Sequence, residues 1–351
     1  MDKLRYGVIG TGNIAVCKHL PGYAALTGDV EIVAACDIDR DRLDRVADQY
    51  HIPQRFTDWR ELLAVKELDF VSVCVPNYLH APVTVAALQA GKHVHCEKPM
   101  AVNGPLAQQM LEESRRCGRV LMVGLNNRFT PWNRYALDCV KSGALGTVYH
   151  AKCGWIRRAG LPHTAWFADK ALAGGGALID LGVHYIDLVL HFLGYPAPHG
   201  VVARTYNHLG AGKDATMYMH RPIEYPFDVE DLAAGFIDLD GGASLSFEIS
   251  WASNISQECA FYELYGTKGG IRFAMMPDGP ELKLYTVSNG RHVDCTPLLP
   301  KEGDGSEFAE FISCIREGKA PWTAPPEQAV AMMTLVDAIY RSAAEGRQIL
   351  L

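Results

Sequence analysis

The chain has 351 residues, with 33 Lys plus Arg against 40 Asp plus Glu and a formal net charge of −7, and its isoelectric point is near 6.0. That length suits two domains, and 48% hydrophobic with 21% charged residues excludes a wholly disordered chain. An acidic balance with no basic tail argues against nucleic acid or an anionic membrane surface as partner. Ten cysteines stand mostly alone, with no CxxC pair, so a zinc knuckle or redox dithiol is not expected. They read as small buried hydrophobes in a reducing compartment. Met1-Asp2-Lys3-Leu4-Arg5 runs into a strand pattern without a signal-peptide core, and no run reaches the length of a membrane span. The expected location is the cytoplasm.

The first third alternates strand and helix. Strands are expected over 6–9, 31–37, 70–75, 92–96 and 119–123, with helices over 39–50, 61–66, 81–90 and 103–117. Short buried strands separated by helices predict a parallel sheet covered on both faces. After about residue 146 the rhythm changes. Strands at 146–156, 199–206, 229–239, 243–252, 258–265, 270–275 and 281–287, several joined by short glycine turns, predict a largely antiparallel sheet. A helix over about 177–192 interrupts the series, and helices over 304–317 and 325–345 close the chain. The expected fold class is α/β: a parallel-sheet domain of Rossmann type over 1–124 and an α/β domain on a mainly antiparallel sheet over 125–351. The last helix is expected to pack back on the first domain.

Gly10-x-Gly12-x-x-Ala15 follows the first strand and opens a helix. The first Gly permits a tight turn, the second lets backbone approach a pyrophosphate, and Ala15 allows close helix packing. Asn13 and Ile14 lie in the same loop and join it as cofactor contacts. Asp37 ends the next strand, where an acid accepts ribose hydroxyls and repels a 2′-phosphate, favouring NAD over NADP. Arg42, just beyond, softens that preference or is a surface charge. Val75-Pro76-Asn77-x-x-His80 closes the third strand, and ligands bind beyond the carboxyl ends of parallel strands. Pro76, Asn77 and His80 are therefore cofactor candidates, although Asn77 as a turn residue and His80 as a helix cap are the plainer readings. The fourth strand ends in Glu97-Lys98-Pro99. Lys98 there can hold a substrate hydroxyl and stabilise charge on its oxygen, with an ion pair to Glu97 as the alternative. Both belong to the cofactor candidates.

Gly174-Gly175-Gly176 leads into Asp180 and His184, spaced i and i+4 on a helix and so on one face. A carboxylate beside an imidazole orients it and raises its basicity, which suits removal of a hydroxyl proton at neutral pH. A structural hydrogen bond under the sheet is the alternative. Asp187 serves that pair or another buried contact. One helix supplies at most three ligands, and no HExxH is present, so no metal is expected. Upstream, Trp155, Arg157, His163 and Trp166 combine cations with aromatic rings, which suits a polyhydroxylated ligand, with a loop of ordinary surface arginines over a packed Trp as the alternative. Arg157 is favoured over Arg158 by strand parity. Arg128, in the loop after the fifth strand, is a further substrate candidate.

Together these segments, with Gly124-Leu125-Asn126-Asn127-Arg128-Phe129, resemble the glucose–fructose oxidoreductase and inositol dehydrogenase family from end to end. The resemblance implies hydride transfer between NAD or NADP and a sugar or cyclitol carbon. It implies that Lys98 contacts substrate beside the nicotinamide, that His184 is the acid–base group and that Asp180 tunes it. It also implies a homodimer or homotetramer built on the C-terminal sheet. An NAD-dependent glycoside hydrolase using transient oxidation is the rival activity, and a dinucleotide-sensing regulator without catalysis a more distant one.

Overall fold

In the computed structural model, residues 2–162, 164–210, 216–217, 221–222, 225–276, 278–298 and 306–351 are described. Two compact units emerge, one formed by residues 1–126 with 305–333, the other by 127–304 with 334–351.

The first unit is a six-stranded parallel sheet: β1 (Leu4–Ile9), β2 (Val30–Cys36), β3 (Gln54–Phe56), β4 (Phe70–Val73), β5 (His93–Cys96) and β6 (Leu121–Val123), in the order β3-β2-β1-β4-β5-β6. Strand β4 is buried at every residue, and β1 and β5 over most of their length, which is why they read as continuous apolar runs. The order reverses beside β1, and that reversal opens a crevice at the carboxyl ends of the strands. β3 has no buried residue and escapes a reading based on apolar runs.

Tyr6, Tyr23, Phe70 and His95 form an aromatic cluster on this sheet. Phe308 and Phe311, on the helix Glu307–Glu317, complete it: Phe308 lies 4.9 Å from Tyr23 and Phe311 5.6 Å from Phe70, both edge-on. Gly22 admits this helix, since a Cβ there would meet the Phe308 ring at 2.3 Å. Residues 305–333 count with the first unit, because their aromatic side chains fill its core.

The second unit is built on β7 (Val148–Ile156), β8 (Pro198–Tyr206), β9 (Thr216–Met217), β10 (Arg221–Pro222), β11 (Leu232–Leu239), β12 (Ser244–Ser250), β13 (Cys259–Gly266), β14 (Gly269–Met276), β15 (Gly279–Ser288), β16 (Arg291–Cys295) and β17 (Ile349–Leu350). Nine form one sheet, β16-β15-β14-β13-β7-β12-β11-β8-β17, while β9 and β10 pair as a separate two-stranded antiparallel sheet. Only β7 and β12 pair in parallel; the other sheet neighbours are antiparallel. Alternation then sorts the faces. Ala151 and Cys153 of β7, with Leu245, Phe247 and Ile249 of β12, are buried, whereas Val202 and Phe236, direct cross-strand partners on the opposite face, are 44% and 41% exposed.

A π-helical turn, Leu178–Gly182, passes into the α-helix Val183–Phe192. The helical stretch Lys170–Phe192 is long and apolar enough to cross a membrane by length and composition, but most of it is buried within the protein, as a core helix is. All ten cysteines are free thiols.

Candidate active site

In the first unit the glycine loop leaves β1 with Gly10 at φ +89°, and a Cβ there would sit 2.3 Å from the Cys74 carbonyl oxygen. Only glycine fits. At Gly12 the same construction meets nothing within 4 Å, so its backbone is open to a ligand. Asn13 is exposed and Ile14 half-buried. The chain then enters a π-helical segment, Ala15–His19. Such segments are rare and concentrate at functional sites.

Asp37 ends β2 as expected, and its carboxylate is heavily engaged. Oδ2 accepts from the Thr11 backbone N–H and hydroxyl at 2.8 and 2.9 Å and from Arg42 Nε at 3.0 Å. Oδ1 accepts from Asp39 N–H at 2.9 Å and Arg42 Nη2 at 2.6 Å. Burial opposes its ionisation, but the Arg42 guanidinium and these N–H groups hold the carboxyl below its usual range. Ile38 beside it is 89% exposed. The open Gly12 backbone, the acid ending β2 and this exposed apolar residue fit a dinucleotide, provided that the ribose hydroxyls displace Arg42 from Asp37.

Behind the loop that ends β5 lies a buried polar network. His19 Nε2 meets Glu97 Oε1 at 2.9 Å, and its Nδ1 meets Ser72 Oγ at 2.8 Å. The Lys98 backbone N–H donates to Glu97 Oε2 at 3.1 Å. Burial works against charge on both partners. For His19, the Cys74 sulfur and Glu97 outweigh it and raise the pKa well above the ordinary value; for Glu97, His19 and Lys98 hold the carboxyl at about 2. Glu97 is 6% exposed and braces Lys98 from behind. His80 is likewise engaged within the protein. It is 1% exposed, and its ring nitrogens meet the Pro99 and Val75 carbonyl oxygens at 2.6 and 2.9 Å, tying together the loops that end β4 and β5. Pro76 caps the helix Asn77–Gln89, with Asn77 buried as its first residue. Lys98 is half-buried, and the Lys98–Pro99 peptide is cis.

In the second unit, Asp180 lies within the π-helical turn and His184 on the α-helix that follows. The start of this helix is anchored by Glu230, which the sequence pattern does not reveal. Its carboxylate accepts the Gly176 and Leu178 N–H groups and the Tyr340 hydroxyl, each at 2.9 Å. The glycine run makes room: a Cβ on Gly175 would fall 1.9 Å from the Tyr340 hydroxyl, and one on Gly176 1.9 Å from the Glu230 carbonyl oxygen. Asp180 Oδ2 accepts the indole N–H of the fully buried Trp251 at 2.9 Å, a second partner without a sequence signal. Trp251 in turn contacts Phe167 edge-on, and Trp166 stacks on Phe167 at 3.8 Å. On the other side, the Trp155 ring lies 5.9 Å from His184, and the Arg157 guanidinium lies over Trp155 at 4.7 Å. Trp155, Arg157, Asp180 and His184 thus share one neighbourhood. Arg158 turns away to the Ser256 carbonyl.

Arg128 does not join them. Its side chain is fully enclosed, and it forms a two-pronged pair with Asp187, Nε to Oδ2 at 2.9 Å and Nη2 to Oδ1 at 2.5 Å, with Tyr195 donating to the same carboxylate at 2.8 Å. A guanidinium so enclosed ties two segments of the unit together and presents no surface to a substrate. His163 lies outside the described residues. Among the described residues no three His, Cys, Asp or Glu side chains are grouped as a metal would require.

Residues 4–125 match a family model described as an oxidoreductase family with an NAD-binding Rossmann fold, and residues 133–272 match the GFO/IDH/MocA C-terminal domain. The chain belongs to this oxidoreductase family. It is 32% identical over 352 residues to the D-glucoside 3-dehydrogenase of Escherichia coli strain K12, covering 99% of this chain and 97% of the relative. Among solved structures it resembles an aldose–aldose oxidoreductase from Caulobacter crescentus complexed with glycerol (TM-score 0.84, 27% identity, 100% of both chains). It also resembles GenD2 from gentamicin A biosynthesis in complex with NAD (TM-score 0.79, 28% identity, 100% of this chain and 97% of that one). The protein is an NAD-binding oxidoreductase of this family, with a Rossmann unit and a mainly antiparallel sheet unit.

Proposed function

We propose that this oxidoreductase oxidises a hydroxyl carbon of a sugar, sugar derivative or cyclitol, or reduces the matching ketone. The observation that carries the reading is the His184 imidazole packed against Trp155, one helical turn from an Asp180 carboxylate held by Trp251. Bound NAD supplies the hydride acceptor. His184 takes the hydroxyl proton during oxidation and returns it during reduction. Asp180 steadies the imidazole, and Trp251 fixes Asp180 by its indole N–H, an outer contact of the kind that keeps an acid–base group aligned. Lys98 holds the reacting oxygen, and the Glu97–His19 pair fixes its backbone. The Trp155 face receives the C–H side of a sugar ring.

The exposed face of the sheet supports a homodimer or homotetramer. Val202 and Phe236 are accompanied there by Tyr206, 43% exposed, and by the mixed charges of Lys152, Glu263 and Arg272, which can complement themselves across a two-fold axis. The free thiols support a reducing, cytoplasmic setting.

The test is NADH formation at 340 nm with inositols, glucose, xylose, galactose, anhydrosugars and simple glycosides. We expect turnover with at least one polyol and a loss of about 10²–10⁴-fold in kcat for His184→Ala. Release of free sugar from a glycoside without NADH accumulation would replace this reading by the hydrolase one.

A further inference from the structure

Glu258 stands just before β13 in no motif, yet it organises the Trp155 side of the site. Its Oε1 accepts the Trp155 indole N–H at 3.0 Å and lies 3.7 Å from Arg157 Nε. The segment carrying it is fixed to the end of β7 by the Arg158–Ser256 hydrogen bond and a bridge between Ala159 and Ala252. The Glu258 side chain is 49% exposed, and among the described residues nothing donates to Oε2. One carboxylate oxygen is therefore locked in place. The other is left without a donor among the described residues on a half-exposed side chain, beside the indole that packs on His184.

This arrangement has a definite chemical preference. A hydroxyl donating to an ionised carboxylate forms a charge-assisted hydrogen bond, while the aromatic face takes the apolar side of a ring. The positive charge of Arg157, which would attract an anion, is already balanced by Glu258. We infer that Glu258 determines specificity: it accepts a ring hydroxyl of a neutral polyol and turns away sugar acids and sugar phosphates by like-charge repulsion. This rests on the sugar or cyclitol dehydrogenase reading and names its substrate class.

Glu258→Gln tests it, because glutamine retains an oxygen for the Trp155 N–H and loses only the charge. The neutral sugar turned over best is compared with the matching uronic acid, in turnover and in calorimetric binding to the NADH-loaded protein. In the variant, KM for the neutral sugar should rise about tenfold, more than kcat changes. The preference for neutral over acidic sugar in kcat/KM and in binding should fall by a similar factor. Arg157→Met, with Glu258 intact, should sharpen the preference. An unchanged KM and unchanged preference in a Glu258→Gln protein with the wild-type melting temperature would overturn the inference. Absence of turnover in the wild type, with a binding preference that still shifts in the variant, would remove the dehydrogenase reading and leave the role of Glu258 standing.

Discussion

Two arginines show how far a side chain's chemistry depends on its enclosure. Arg128 and Arg42 both meet an aspartate through two nitrogens, but Arg128 is fully enclosed while the Arg42 side chain is 39% exposed. Removing one partner of a buried pair strands the other charge and costs about 3–5 kcal/mol. Arg128→Met should therefore lower the melting temperature by roughly 6–20 °C and leave KM for the sugar unchanged in the folded fraction; a KM effect without destabilisation would restore Arg128 to the substrate site. Arg42 is poised differently. It occupies the carboxylate that ribose hydroxyls need, and its charge is available to a 2′-phosphate. Arg42→Ala should leave NAD turnover intact or improved and lower kcat/KM for NADP by about tenfold or more. A wild-type ratio between the cofactors would show Arg42 to be a surface charge. Sequence reading located both arginines. It could not separate their roles, because the partner of Arg128 lies 59 residues away, whereas that of Arg42 lies only five away.

At the scale of elements, periodicity carried most of the fold. The buried strands of the first sheet and the helices around it follow from apolar runs and caps, as at Asn103, whose side chain accepts the Leu106 N–H, and Gly118, which closes that helix at φ +59°. Strands without a buried residue, β3 and β16, were missed, and so was β17, which is only two residues long. The Asp180–His184 spacing was legible, but the π-helical turn beneath it was not, because Glu230, Trp251 and Tyr340 arrive from distant segments. Gly175-Gly176 was the visible trace of that convergence, a space kept clear for the Tyr340 phenol and the Glu230 backbone carbonyl. The exposed sheet face makes its own prediction. Phe236→Asp places a charge on that face and should convert the proposed oligomer to monomers in multi-angle light scattering, with the far-UV spectrum unchanged; an unaltered mass would move the proposed interface elsewhere.

For the molecule as a whole, the buried His19–Glu97 pair sets a pH window. Glu97 sits at about 2, below its ordinary 4.5, so its contribution to stability is complete above 4.5 and is lost as the pH falls from there toward 2. His19 is raised above 6.5, so its share is complete below 6.5 and fades as the pH climbs through the raised value. The melting-temperature gap between wild type and Glu97→Gln should be widest at about pH 5–6 and narrow toward pH 2. A gap that did not change with pH would show that Glu97 acts through packing alone.

The first unit's aromatic cluster has a consequence for biosynthesis. Tyr23, Phe70 and His95 leave the ribosome early, but Phe308 and Phe311, which cover them, follow only after residues 127–304 have been made. Folding in the order of translation, the usual route for an N-terminal domain, leaves this cluster uncovered until those residues are made. The nascent Rossmann sheet must wait with an open aromatic surface while another unit is synthesised, and that interval is when the chain most needs a chaperone.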